Sequence, residues 1–270
     1  MPEGHTVHRA ARDHDGDFAG QRVLVSSPQG RFPAEELVDA DGRAHLERVE
    51  AYGKHLFYVF EGERVVHVHL GLFGKFFRRR TPAPASRSST RLRLEGEAMT
   101  LELVGPTACE LVSVEDMRAI TARLGPDPLR EDANPRRFYA YVARAKAPIG
   151  AILMDQSRIC GVGNVYRAEV LHLLRVHPET PGKALPKATL RAMWRLTAGL
   201  LRRGVEEKRI VTTRGLTLAK PRERVPRHDS THVYRRRWCR TCEGPVSTYT
   251  LRARTVHYCD ACQPLEAAAE

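Results

Sequence analysis

The chain has 270 residues, room for two or more domains of ordinary size, and its 42% hydrophobic content excludes a disordered chain. Lysine and arginine outnumber aspartate and glutamate by 44 to 32, a net charge of +12 that favours a polyanionic partner, nucleic acid before an anionic membrane. No apolar leader, bilayer-length run or lipidation motif is visible, so a cytoplasmic chain with reduced thiols and no membrane partner is expected.

A helix is expected from Glu3 to about Asp13, with Pro2 in first-turn position and Val7, Ala10 and Ala11 as its apolar stripe. Between residues 21 and 104 the pattern shortens to β-like runs at 22–26, 45–51, 55–60, 65–70, 75–79, 91–94 and 99–104. Gly53, Gly62, Pro82, Pro84 and Gly96 punctuate the joints, and residues 82–89 read as a surface loop. An all-β sandwich or barrel fits this half. From Ser113 the pattern turns helical. Ser113 and Asp116 form a capping-box spacing, and further helices are expected at 135–144, 148–154, 166–174 and 187–203. Residues 212–237 are basic, proline-bearing and without clear period, and read as a loop. The tail from Leu265 is expected to fray.

The first residues with chemical potential are Pro2 and Glu3. A small second residue permits removal of the initiator methionine, which would leave Pro2 with a free secondary amine. An α-amine titrates at about 7.7–8.0, so a useful fraction is neutral and nucleophilic near neutral pH. Such an amine can attack C1′ of a sugar and form an iminium, and Glu3 beside it can move a proton. The plainer alternative is that both residues only start a helix. Lys54, between two β-like runs, is either a solvated turn lysine or a cation placed on a hairpin tip. Leu72 and Phe73 lie between Gly71 and Gly74, either packed in the core or exposed as a wedge for a base stack. His67 and His69 share a strand face and lack a third ligand. In residues 155–169, Gly161 and Gly163 precede a helix. The helix amides and the Asn164 side chain can there meet a phosphate, or form a plain cap.

Cys239 and Cys242, then Cys259 and Cys262, form two C-x2-C pairs separated by sixteen residues. Four thiolates complete a tetrahedron around one zinc and leave no open position, so the site is structural. Iron in a rubredoxin-like knuckle is the alternative metal, and two disulfides are disfavoured by a reducing compartment. Arg235, Arg236, Arg237, Arg240, Arg252 and Arg254 surround this segment, which reads as a metal-stapled hairpin presenting cations. Cys109 and Cys160 are isolated and read as small buried residues.

In this order, the Pro-Glu-Gly start, Lys54, the His69-Leu70-Gly71 turn, the 155–169 segment and the four cysteines resemble the bacterial formamidopyrimidine-DNA glycosylase and endonuclease VIII family, from Pro2 to Gln263. The resemblance implies an α+β multidomain fold: an N-terminal β-sandwich with an N-terminal helix (1–112), a helix-two-turn-helix domain (113–225) and a zinc-finger β-hairpin (226–264). It implies a monomer holding damaged double-stranded DNA between its two halves, one structural zinc and no soluble cofactor. Pro2 would be the nucleophile, Glu3 its proton partner, and Lys54, Asn164 and Arg254 the grip on phosphates flanking the lesion. Glu169 would lie near the lesion, and Leu72-Phe73 would fill the base stack. The implied activity is a glycosylase with abasic-site lyase action by β,δ-elimination. Pro-Glu-Gly in place of Pro-Glu-Leu, and a contiguous apolar pair, look closer to the endonuclease VIII branch and to oxidised pyrimidines. Alternatives are a purine-specific glycosylase of the same family and a non-catalytic binder of damaged DNA. His5-Thr6 departs from the family's frequent Pro-Glu at that place, which removes a carboxylate near the nucleophile.

Overall fold

The structure is a computed structural model that describes residues 2–213 and 225–265. The part of the expected basic loop at 214–224 and the tail beyond Leu265 lie outside the described residues. Two compact units divide between Arg123 and Leu124.

The first unit is one helix on a continuous antiparallel ladder. Helix α1 (Gly4–Phe18) starts at Glu3, whose extended backbone (φ −120°) ends the preceding chain and whose carbonyl accepts the N–H of Thr6 at 2.8 Å. It runs past Asp13 because His14 and Phe18 continue the buried stripe of Val7, Ala10 and Ala11. Strands β1 (Gln21–Ser26), β2 (Arg43–Tyr52), β3 (His55–Phe60), β4 (Arg64–His69), β5 (Lys75–Arg80), β6 (Thr90–Glu95), β7 (Met99–Val104) and β8 (Ala108–Ser113) pair in the order β5-β7-β6-β1-β2-β3-β4-β8. The expected sandwich is thus built from a single eight-stranded ladder with apolar layers on both faces.

Strand β3 shows why. Leu56, Tyr58 and Phe60 join the large core with α1, while Phe57 and Val59 face the other way with Val65. A strand buried on both faces reads as an unbroken apolar run, as His55–Phe60 does. The second layer is closed by α2 (Val114–Ala122) through Val114, Met117 and Ile120. The expected capping box is formed: Asp116 donates its N–H to the Ser113 hydroxyl at 3.0 Å, and Ser113 returns its N–H to the Asp116 carboxylate at 3.1 Å. Since α2 packs on the sheet, the chain divides later than residue 112.

The second unit has α3 (Arg136–Val142), α4 (Ile149–Ile152), α5 (Asn164–Leu173), α6 (Lys187–Glu207) and a hairpin of β9 (Ser247–Leu251) and β10 (Arg254–Tyr258). Phe138, Ile149, Tyr166, Val170, Met193 and Leu201 meet in its core. In α6, Leu190, Met193, Thr197, Leu200, Leu201 and Gly204 return every three or four residues to one buried face. The helix ends at Lys208 in the left-handed region (φ 60°). No helix among the described residues is long and apolar enough to cross a membrane.

Candidate functional site

Pro2 is half-buried and leads into Glu3, which is fully buried at the head of α1. One turn on, His5 is buried, with its pKa lowered to about 3 by desolvation, aided by Arg9 and the N-terminal amine. It therefore stays neutral through the ordinary pH range, with Nε2 at 3.1 Å from the Thr6 hydroxyl. Neither His5 nor Thr6 supplies a carboxylate beside Pro2 and Glu3.

Gly53 and Lys54 form the two-residue connection of β2 and β3, closed by the Tyr52–His55 pair. The turn needs a positive φ at its first residue, which Gly53 supplies (φ 60°), and this places half-buried Lys54 on the tip. Behind it, three imidazoles cluster, His55 stacked on His67 and tilted against His69. His55 Nδ1 lies 2.9 Å from His67 Nε2, and the His55 and His69 ring centroids are 5.1 Å apart. Burial lowers the pKa of all three, that of His55 to about 3, and the Lys54 cation depresses His55 and His69 further. They form a neutral platform beneath the lysine. Sequence reading found two of these histidines. His55 joins them through the antiparallel register His55↔His69, which no spacing within one strand shows.

Leu72 and Phe73 are 48% and 80% exposed, so they do not pack in the core. Their turn is fixed by its flanking glycines. A Cβ on Gly71 would fall 1.8 Å from the Thr107 hydroxyl, and one on Gly74 would fall 2.4 Å from the Leu70 carbonyl.

In the second unit the loop before α5 is stapled by Gln156. Its amide donates to the Val162 carbonyl at 2.9 Å, and its oxygen accepts the Gly161 N–H at 3.1 Å. Asn164 begins α5 and is buried. Its amide donates to the Thr255 carbonyl of β10 at 2.9 Å, and its oxygen accepts from the Arg167 guanidinium. A carboxamide carries two N–H donors, so one remains for a further acceptor. Glu169 follows in α5. Its carboxylate is fully buried and accepts the N–H groups of His232 at 2.7 Å, Val233 at 2.9 Å and Tyr234 at 2.9 Å, and the Thr212 hydroxyl at 2.5 Å. The carboxylate thus ties Thr212 and the 232–234 segment to α5. The sequence gives no signal for this, because the partners lie 43 or more residues away.

The sulfurs of Cys239, Cys242, Cys259 and Cys262 lie within 4.8 Å of one another. The Cys239–Cys262 and Cys242–Cys259 separations are 3.9 and 3.4 Å. A tetrahedron with metal–sulfur bonds of about 2.3 Å has edges near 3.8 Å, so this donor set fits one metal ion. All four are free thiols. The knuckles are held by their own backbone: Cys239 donates its N–H to the Gly244 carbonyl at 2.8 Å, and Gln263 donates its N–H to the Cys259 carbonyl at 2.8 Å. Behind them His172 Nε2 lies 2.8 Å from the Thr241 hydroxyl, and the Gln263 side chain donates to the Val176 carbonyl at 2.8 Å. Sequence reading missed His172 and Gln263. Arg254 is exposed at the start of β10, just after a turn in which both Arg252 (φ 46°) and Ala253 (φ 58°) are left-handed.

Residues 1–120 match the formamidopyrimidine-DNA glycosylase N-terminal domain, and residues 124–215 match the formamidopyrimidine-DNA glycosylase H2TH domain. The chain is 42% identical to endonuclease 8 1 of Mycobacterium tuberculosis over 269 residues, 97% of this chain and all of that protein. It is 33% identical to the formamidopyrimidine-DNA glycosylase of Thermus thermophilus, covering 97% of each. A structure of Lactococcus lactis formamidopyrimidine-DNA glycosylase with an N7-benzyl-Fapy-dG DNA superposes with a TM-score of 0.79 at 20% identity, over 98% of this chain and 100% of that one. By these matches the chain belongs to the formamidopyrimidine-DNA glycosylase and endonuclease VIII family.

Proposed function

We propose that the chain is a base-excision-repair DNA glycosylase with abasic-site lyase activity, acting on oxidised pyrimidines. The observation that carries the reading is the full-length match to endonuclease 8 1 in a chain whose Pro2 directly precedes the buried carboxylate of Glu3. Once Met1 is removed, the Pro2 secondary amine attacks C1′ of an extruded nucleotide. The glycosidic bond breaks, and its electron pair leaves with the base, which takes up a proton. Glu3 delivers a proton to the sugar ring oxygen, the C1′–O4′ bond opens to a hydroxyl, and the Pro2 nitrogen lone pair forms the iminium at C1′. The iminium acidifies the proton on C2′, whose loss expels the 3′ phosphate. A second elimination expels the 5′ phosphate, and water then releases the sugar remnant from Pro2.

Lys54 on its hairpin tip and Arg254 on the finger are assigned to phosphates, and the remaining Asn164 N–H to a third. The exposed Leu72-Phe73 pair supports a wedge that fills the space of the extruded nucleotide. The four thiolates suit zinc, which would fold the finger and take no part in the chemistry. The endonuclease VIII branch is favoured by the higher identity to endonuclease 8 1 than to the Thermus glycosylase.

Borohydride trapping on duplexes carrying thymine glycol or an abasic site tests this reading, with untagged protein and Pro2→Ala side by side. A covalent band that depends on Pro2 is expected. Tight binding with no band from the processed protein would point to a non-catalytic binder of damaged DNA. Clear preference for 8-oxoguanine opposite cytosine would move the chain to the purine branch.

A further inference from the structure

The second unit contains a cavity of about 520 Å³ that the chemistry above does not use. Val165 and Ile210 contribute apolar lining, and the run from Arg235 to Trp238 lines it as well. No carboxylate lines it among the described residues. Trp238 is 52% exposed although the next residue, Cys239, is buried in the finger. One exposed apolar side chain is ordinary by itself, but this one lines the cavity beside Arg235, Arg236 and Arg237.

The arginines beside it keep their charge available. Arg236 donates to the carbonyls of Trp238, at 3.2 Å, and His228. Those neutral acceptors fix its guanidinium without cancelling it. The Arg237 guanidinium lies 5.3 Å from the Trp238 ring centroid. Arg235 adopts the left-handed backbone (φ 54°), uncommon for a residue with a side chain. The nearby carboxylate of Asp229 is engaged by Arg240 and lies 3.3 Å from His228.

A half-exposed indole with a guanidinium over its ring, in a cavity with no lining carboxylate among the described residues, suits a planar base joined to phosphates. Paired bases in a duplex hide their faces in the stack, and an unpaired base offers its face. We propose that Trp238 is a stacking platform for an unpaired nucleotide of single-stranded or locally opened DNA, with Arg235 and Arg237 meeting its phosphates. The inference rests on the glycosylase reading only for the choice of DNA as the polyanion.

The test compares binding of oligothymidylate, about 12 nucleotides long and within the span of a single-strand site, with binding of an intact duplex. Trp238→Ala should weaken the single strand roughly ten-fold or more and the duplex less than about two-fold. Trp238→Leu keeps apolar volume without a π face and should match Trp238→Ala, while Trp238→Phe should stay near the parent. The chain has two tryptophans, and Trp194 packs against the helical core, so quenching by oligothymidylate should vanish in Trp238→Phe. Arg237→Ala should lower the single-strand salt slope by about 0.7, and Trp238→Leu should leave it unchanged.

Wild-type affinity in both Trp238→Ala and Trp238→Leu, or equal losses on both DNAs, would overturn the platform. None of these readouts needs the Pro2 amine, and the series is repeated in Pro2→Ala protein. Selective loss without trapping would sink only the catalytic reading, and trapping without selective loss would sink only the platform.

Discussion

Glu169 Oε1 accepts the backbone N–H of Val233 at 2.9 Å, joining α5 to a segment 64 residues away. The same carboxylate holds His232, Tyr234 and Thr212, so one buried charge fixes the chain on both sides of the 214–224 segment. Glu169→Gln keeps the shape but sets an amide N–H against backbone donors. A buried donor left without its charged acceptor costs about 1–3 kcal/mol or more, and several are affected. Urea unfolding should show a loss of at least about 3 kcal/mol. A loss under about 1 kcal/mol would mean that water can replace the carboxylate.

Cys259→Ser should abolish stoichiometric metal in the purified protein. Its sulfur lies 3.4 Å from that of Cys242 and is fully buried, so no water can take the vacated place without disturbing the knuckle. Zinc binding supplies much of the folding free energy of a small finger. Hydrogen exchange of β9 and β10 should therefore rise sharply in the variant, while protection of β3 and β4 persists. Retention of one zinc per chain by mass spectrometry would remove Cys259 from the ligand set.

Stability should fall on acidification below about pH 6.5. His14 is buried, with its Nδ1 at 2.8 Å from the Tyr58 hydroxyl and its ring edge against Phe76. Desolvation lowers its pKa to about 3, helped by Arg78. The unfolded chain therefore binds a proton that the folded chain refuses between those values. Stability is complete above pH 6.5 and is lost as pH falls toward 3, by up to about 1.4 kcal/mol per pH unit for this histidine. His5 and His55 act in the same direction. Thermal unfolding of the parent and His14→Gln at pH 7 and pH 5 should show a smaller acid loss in the variant. Equal slopes would mean that His14 protonates in place.

Ala253→Gly should stabilise the finger hairpin by about 1 kcal/mol, since both central residues of its turn are left-handed and a Cβ opposes that conformation. Hydrogen exchange of the β9–β10 pairs reads this directly. Faster exchange in the glycine variant would show that the lost chain entropy outweighs the relieved strain.

Much of the architecture was legible because its period is local. The strand at 55–60 is found at the expected residues, and the Ser113–Asp116 cap is formed. Strand β8 escaped notice because Ala108-Cys109-Glu110-Leu111 mixes polarity behind Gly105-Pro106. It becomes a strand through pairing with β4, where Val68 faces Cys109. The knuckle spacing of the cysteines was equally plain, since two residues of one turn set both donors. Exposure of Leu72 and Phe73 was not, because apolar side chains between glycines fit a core as readily as a turn. Glu169 and the third imidazole, His55, depend on partners brought from distant segments, which one-dimensional spacing does not encode.

Strand β5 ends the eight-stranded ladder, so its outer backbone groups have no neighbouring strand among the described residues. An open edge of this kind invites a second chain to add its own strand, the first step toward aggregation. Here the edge carries Lys75, Arg78, Arg79 and Arg80, and Arg87 lies over the ring of Phe77. Arg78 is paired with Asp13 and Asp17, but two copies meeting edge to edge would bring Lys75, Arg79 and Arg80 of each together, so the charge that suits a polyanion also opposes strand addition at this edge.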